Sequence, residues 1–360
     1  MSVAINGTNG ITFNDGSLQP SAPVGKNRII NGNMMIDQRN TTQTGNGYSV
    51  DRWAIYDNTS ATYTFAQDSS APTGFINSLK FTTTGTDTSI GSTEQCVIYH
   101  KIEGNNIADL NWGTANAKTI TLSFYVRSSL TGTFAGSLGN NGYARSYPFT
   151  YTISSADTWE QKTITITGDT TGTWLTTNGV GISLRLAIAA GSSFEATAGA
   201  WASGNYFSVS GATNVVGTAS STFYITGVQL EANTTATPFE HLQYSQQLEL
   251  CQRYYTKFTA TNAYSTFGFA TAATNARMTT QYHFPTTMRA APSTSYSGTL
   301  CVLYGTGRAN ITSSPDSQLN INGGYVNYDV SGTPFTAITY SGLIGANNDV
   351  NCSVEFNSEL

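Results

Sequence analysis

The sequence predicts an all-β protein: an antiparallel, jelly-roll-like β-sandwich, a short connecting helix, and a second, smaller C-terminal β domain. Three observations carry this. Short runs of alternating apolar and polar residues recur between Gly, Asn, Thr and Pro turn signals. Charged residues make up only 10 % of the 360 residues, well under the usual ~25 %, while 35 Gly, 20 Tyr and 17 Phe fill their place. And a single stretch, near residues 242–258, spaces its apolar side chains as a helix would. Low charge combined with many aromatics is the opposite of a disordered composition, which has few aromatics and high net charge.

Residues 1–27 are rich in Gly, Asn and Ser and too polar to build a core, so they read as an extended N-terminal arm. From residue 28 to 241 the expected sandwich runs. Its opening, NRIINGNMMIDQRN to Tyr56, carries turn signals at Asn31-Gly32 and Gly45-Asn46-Gly47, with strands expected around Met34–Ile36 and from Val50 to Tyr56. Asp37, Arg39, Asp51 and Arg52 are read as ion pairs that close a sheet edge. Further strands are expected at Tyr63–Gln67, Ser78–Thr83, Gln95–Lys101, Thr119–Arg127, Gly132–Gly136, Phe149–Ile153, Trp159–Thr167, Gly181–Ile188, Asn205–Val209 and Thr222–Leu230. In Thr119–Arg127, Ile120, Leu122, Phe124 and Val126 fall on one face and polar residues on the other, the one-sided burial of an antiparallel sheet.

The helix is expected over 242–258, where Tyr244, Leu248, Cys251, Tyr255 and Phe258 are spaced 4, 3, 4, 3 and share a face. That stripe needs a partner, either a sheet of its own chain or the same helix of another copy, and these five residues are the candidate oligomer interface. Residues 259–360 form the second β domain, with strands expected at Ser265–Ala270, Met278–His283, Thr294–Ser297, Cys301–Tyr304, Tyr325–Asp329, Thr336–Tyr340 and Asn351–Phe356.

Several functions are disfavoured. A net charge of −5 without a Lys/Arg cluster argues against nucleic acid. No apolar run approaches the ~20 residues of a spanning helix, so no membrane insertion is expected. The opening MSVAINGTNGITFNDG lacks the basic and apolar regions of a secretory signal, which predicts folding in the cytoplasm of its synthesis. Cys96, Cys251, Cys301 and Cys352 are scattered and read as reduced, buried thiols. They lack zinc-ligand spacing, so no metal site is expected. No P-loop, dinucleotide fingerprint or nucleophile elbow occurs, and no cofactor is expected. The acids show no spacing that singles out a glycosidase pair, so the chain reads as non-enzymatic.

Sugar binding without catalysis would need flat aromatic faces beside hydrogen-bonding groups. Trp112, Tyr143, Tyr147, Trp174, Trp201 and Tyr206 lie in or beside the loops LNWGT, NNGYARSY, GTWLT and GAWASGNYF and are the candidate carbohydrate-binding residues. The competing role for each is packing in the core or at a subunit interface. Trp53 and Trp159, on expected strands with apolar neighbours, are read as core.

Two long motifs resemble a known module. KNRIINGNMMIDQRN followed by GYSVDRW resembles the opening of a module of bacteriophage tail-fibre and other virion-surface proteins. FYITGVQLEANTTATPFEHLQYSQQLELCQRYYTKF resembles its end, and FPTTMRAAPS and VEFNSEL resemble the domain that commonly follows. Between them, TLSFYVRSS, TWEQKTITITG and the FYITGVQLE strand are similar to jelly-roll carbohydrate-binding modules. The resemblance implies a structural protein of the virion, a homotrimer whose N-terminal arm meets other virion proteins and whose sandwich touches host surface polysaccharide. The alternatives are a purely structural connector or capsid-attached protein without a ligand, and a polysaccharide-degrading tailspike. Modules of this kind often hold a structural calcium through an acid on the last strand, where this chain has Thr226-Gly227.

Overall fold

The computed structural model describes residues 4–6, 10–12, 18–19, 25–304, 307–314, 316–335 and 341–360. The chain forms two compact units. The first takes in the described residues up to Met35, Thr41–Ser49 and Trp53–Gln243; the second takes in Ile36–Asn40, Val50–Arg52 and the described residues from Tyr244 on.

The first unit is a sandwich of two antiparallel sheets. One has seven strands in the order Ala202–Ser203, Arg145–Ile153, Gly132–Gly139, Val180–Ala190, Gln95–Glu103, Trp53–Asp57, Gly47–Tyr48. The other has five, in the order Glu160–Ile166, Ile120–Ser128, Thr222–Glu231, Ser78–Gly85, Thr62–Asp68. In both sheets hairpins alternate with pairings between strands far apart in the chain, such as Thr222–Glu231 with Ser78–Gly85 and Val180–Ala190 with Gln95–Glu103, the crossed order of a jelly-roll-like sandwich. The inward side chains meet across the two layers, with ring centroids 6.0 Å apart for Phe134 and Phe223 and 5.1 Å for Phe124 and Tyr151. Each fully buried side chain of this size contributes roughly 1.5–3 kcal/mol, and alternation alone delivers them to one face.

The opening segment enters this core without forming the strand expected at Met34–Ile36. Met34 is buried but sits in a turn with φ 57°. The Trp53 indole donates to Asn31 O (3.1 Å), and His100 Nε2 lies 3.0 Å from Ile30 O. Those bonds hold the turn against the sheet, so burial and not ladder pairing explains the apolar residues there. Gly25–Arg28, read from sequence as the end of an extended arm and the start of the sandwich, is tied to its last strand and the loop after it. Asn27 N donates to Glu240 (3.0 Å) and Arg28 N to Leu230 O (2.9 Å). Further towards the N-terminus, Ala4–Asn6, Gly10–Thr12 and Leu18–Gln19 pair as a small antiparallel sheet where an extended arm was expected.

Asn205–Val209 is not a strand. It belongs to an irregular segment over 191–217, in which Phe207 is fully buried on Val97, Ala135 and Ala187, beside Phe194. The pull of that small apolar cluster overrides the local alternation. Trp53 is fully buried, and Trp159 is half-buried against Tyr224.

In the second unit, six strands close a ring in the order Arg277–His283, Thr266–Thr274, Ser341–Ala346, Leu300–Tyr304, Gly307–Ser313, Gly323–Val330, the last pairing back to the first. A seventh strand, Ser317–Asn320, also pairs with Gly323–Val330. A three-stranded sheet of Tyr255–Thr259, Ser353–Asn357 and Ser293–Ser297 completes the unit. The strand expected at Thr336–Tyr340 lies outside the described residues.

The helix is shorter than expected. It spans Tyr244–Gln252, and the chain re-enters a strand at Tyr255. The aromatic and β-branched run Tyr255, Thr256, Phe258, Thr259 favours extended backbone, and it pairs with Ser353–Asn357. The five-residue stripe is therefore not one helical face. Gln247 and Cys251 are the buried helix residues, Tyr244 is 59 % exposed, Leu248 is half-buried, and Tyr255 and Phe258 belong to the strand. All four cysteines are buried and unpaired.

Candidate functional site

The inner face of the seven-stranded sheet makes the sandwich core, which leaves its outer face to be explained. Register fixes which residues stand there. Arg185 is opposite Tyr99 on one side and Ser137 on the other, and Tyr56 is opposite Val97. The irregular segment over 191–217 covers part of this face through Phe207. Beside the cover lies a cleft of ≈ 280 Å³ lined by Tyr56, Gln95, Val97, Tyr99, Lys101, Tyr143, Arg185 and Asn205.

The cleft combines flat rings with directed polar groups. Tyr99 stands edge-on to Tyr48, with centroids 6.3 Å apart, and the Lys101 ammonium is 5.3 Å from the Tyr99 ring. Tyr143 lies over the Arg185 guanidinium at 4.1 Å, within cation–π range. Arg185 is only 3 % exposed. Its Nε donates to Ser137 Oγ (3.0 Å), one terminal nitrogen to Asn205 Oδ1 and the other to Tyr206 O (2.8 Å). Burial lowers its pKa to about 10, which leaves it charged at neutral pH.

Tyr143 reaches the cleft through unusual backbone. Gly142 and Tyr143 are both left-handed, with φ 74° and 57°. A bulky residue rarely adopts that conformation, and such strain gathers at functional sites. The loop is held by Tyr143 N to Asn140 O (3.1 Å), and by Asn140 Oδ1 accepting from Arg145 N (2.9 Å).

Of the sequence-chosen aromatics, Tyr143 lines this cleft, and Tyr206 is beside it through its carbonyl. The other four form a separate packed group. Trp112, Trp174 and Trp201 stand edge to face with centroids 4.7–5.3 Å apart, and Tyr147 meets Trp201 at 5.3 Å. Each indole N–H donates to a backbone carbonyl: Trp112 to Lys118, Trp174 to Thr171 and Trp201 to Thr167. Trp112, Trp174 and Tyr147 are buried, and Trp201 is half-buried. Their contacts are those of a structural cluster that pins loops to the sandwich.

Tyr56, Tyr99, Lys101 and Arg185 were missed because they sit on strands, not loops. A signal was present. Gln95, Tyr99 and Lys101 share one parity of a strand, and Arg185 interrupts the otherwise uncharged run GISLRLAIAA.

The five-stranded sheet has a cleft of its own, ≈ 490 Å³, lined in part by Ser123, Tyr125, Gln161, Phe75, Phe239 and His241. A bulge in the Thr222–Glu231 strand places Gly227 in its lining. Gly227 there has φ 62°, and a Cβ would stand 2.7 Å from Phe75. Here Phe75, Phe239 and His241 pack on one another at 5.0–5.4 Å, so their faces are already engaged.

Among the described residues, no group of three or more His, Cys, Asp or Glu side chains could hold a metal ion. No helix among them is long and apolar enough to cross a membrane.

No protein-family model and no characterised relative matches this sequence. Among solved structures, the chain is similar to the enzymatically active domain of tailspike protein 4 of bacteriophage CBA120, at 11 % identity over 58 % of this chain and TM-score 0.32. It spans only 22 % of that tailspike's length. It is also similar to a sugar-binding protein of Bacteroides thetaiotaomicron, described as putative, at 11 % identity over 58 % of this chain and all of that one, TM-score 0.34. A third is the family 11 carbohydrate-binding module of Clostridium thermocellum in complex with a mixed-linked tetrasaccharide, at 13 % identity over 53 % of this chain and 91 % of that one, TM-score 0.29.

Proposed function

We infer that this chain is a non-enzymatic protein of a phage virion surface, a tail-fibre or surface-fibre subunit that contacts host glycans through the outer face of its seven-stranded sheet. The observation that carries the glycan reading is the cleft, where the rings of Tyr56, Tyr99 and Tyr143 stand beside the polar groups of Gln95, Lys101, Arg185 and Asn205. Sugars offer apolar C–H faces ringed by hydroxyls, and tyrosines beside amides and cations match both. A glycosidase needs two carboxyl groups about the scissile bond, and none of the residues lining this cleft is Asp or Glu. That favours binding over cleavage.

The virion assignment, with assembly in the host cytoplasm, a homotrimer and N-terminal contacts to other virion proteins, rests on the sequence motifs. The test is binding of the purified full chain, at measured oligomeric mass, to surface polysaccharides of bacterial hosts, together with competition against phage adsorption. Saturable binding that Tyr99→Ala weakens, and a mass of three chains, are the expected results. A folded chain that binds no polysaccharide and blocks no adsorption would instead be a structural connector. Shortening of the polysaccharide during incubation would overturn the non-enzymatic reading.

A further inference from the structure

We propose, resting on the glycan reading above, that the cleft takes an acidic sugar, a uronate or sialate whose carboxylate is received by the Arg185 guanidinium with Lys101 as the second cation. The argument starts from what a buried charge requires. A guanidinium removed from water is costly unless a counter-charge or full hydrogen bonding compensates it. The neighbouring arginines of the sandwich obey this. Arg145 meets Asp169 at 2.8 Å, Arg28 meets Asp109 at 2.7 Å, and Arg127 meets Asp157 at 3.5 Å. Arg185 is more buried than any of them, yet its partners are a serine hydroxyl, an amide oxygen and a carbonyl, all neutral.

Its hydrogen-bonding capacity is also incomplete. A guanidinium has five N–H donors, and three bonds are made. One hydrogen on each terminal nitrogen remains for a ligand in the cleft that Arg185 lines. Arginine receives carboxylates in two-pronged fashion better than any other side chain.

Lys101 adds to the same field. Arg185 is opposite Tyr99, and Lys101 is two residues further on the Tyr99 strand. The two cations are thus diagonal neighbours, about 7–8 Å apart at the backbone. The lining holds these two cations and no Asp or Glu, in a chain whose net charge is −5. Attraction of an acidic polymer therefore has to come from this place and not from the protein as a whole. The Tyr56 and Tyr99 rings supply the surface for the sugar's C–H face, and a volume of ≈ 280 Å³ suits one acidic residue of a chain.

The test uses the full chain and matched polymers: polygalacturonate, hyaluronan, alginate and polysialate, each beside its carboxyl-reduced neutral derivative, with dextran and mannan as neutral references. Binding is read by calorimetry or surface adsorption at two salt concentrations. The expected result is binding to at least one acidic polymer, at least tenfold weaker to its reduced partner, and weakened severalfold by added salt. Lys101→Met should weaken it severalfold. Arg185→Gln should abolish the acid preference, while Arg185→Lys retains part of it. Equal binding to an acidic polymer and its reduced form, or binding to neutral polymers only, would overturn the acid assignment and leave the glycan reading standing. Absence of binding to every polymer would remove both. The matched pair on the unaltered chain decides the question even if the Arg185 variants fail to fold.

Discussion

Each unit buries a guanidinium on a tyrosine ring, and the two surroundings differ in charge. In the sandwich, Arg185 lies 4.1 Å from Tyr143 with no carboxylate beside it and a cleft in front. In the second unit, Arg52 lies 3.5 Å from Tyr254 and Arg39 3.7 Å from Tyr255. There Glu359 pairs with both arginines, and Asp51 pairs with Arg39 at 3.3 Å. Gln38 donates twice to Asp51 and reaches Tyr255 O. Two cations and two acids close on themselves, so each guanidinium there faces a carboxylate. Stacking on an aromatic is therefore no mark of a site. What sets Arg185 apart is that its hydrogen-bond partners are all neutral.

The largest effect that tests this comparison is on the closed cluster. Glu359→Gln leaves Arg39 and Arg52 buried without their shared acid, and breaking a buried pair costs about 3–5 kcal/mol. Urea unfolding of the full chain should show that loss. Arg185→Gln removes an uncompensated charge together with three hydrogen bonds, and should cost less than Glu359→Gln. Equal costs for the two variants would make Arg185 a clamp for the Asn205–Phe207 loop and break the contrast.

A second pair sharpens the line between structure and binding. Trp112→Ala empties part of the tryptophan cluster and should destabilise by about 3 kcal/mol, the low end for a buried tryptophan, with glycan affinity of the folded fraction unchanged. Tyr99→Ala should do the reverse: little change in stability, and roughly tenfold weaker glycan binding, which corresponds to about 1.4 kcal/mol. Calorimetry on both variants separates the outcomes. A drop in affinity for Trp112→Ala would return the tryptophans to the binding site.

The closed cluster also explains which parts of the molecule were legible in the sequence. The motifs IDQRN, VDR, CQRYY and NSEL are far apart in the chain, and they supply Gln38, Arg39, Asp51, Arg52, Tyr254, Tyr255 and Glu359. FPTTMRAAPS joins them, since Arg289 donates to Ser358 O (2.7 Å) and Glu359 O (3.0 Å). Charge made Asp37, Arg39, Asp51 and Arg52 visible, and the resemblance marked the other motifs; ion pairing holds for Arg39, Asp51 and Arg52, in buried pairs and not at a sheet edge, while Asp37 accepts from Asn40 N. The sandwich was legible because one-sided burial writes a period of two into the sequence. The cleft was hidden for the same reason: its residues occupy the other parity of the strands, where polar side chains look like ordinary solvent-facing ones. The end of the helix was hidden because Tyr255 and Phe258 continue a helical spacing by coincidence, and only the Ser353–Asn357 partner strand makes them extended.

The cluster also carries a pH dependence, and its sign is unusual. Burial raises the Asp51 carboxyl to about 7, against the pull of Arg39 and the Gln38 bonds. In the unfolded chain it returns to about 3.8. Between those values the folded state holds a proton that the unfolded state has released, so stability from this group falls as pH rises through that window. A paired surface carboxylate gives the opposite slope. Unfolding of the full chain at pH 5 and pH 7.5, compared with Asp51→Asn, isolates the contribution. The native chain should lose stability relative to the variant as pH rises. If it gains stability instead, Asp51 is ionised throughout that range, and attraction to Arg39 outweighs the cost of burial. The closed cluster would then be fully charged, and its contrast with the unpaired Arg185 would be wider still.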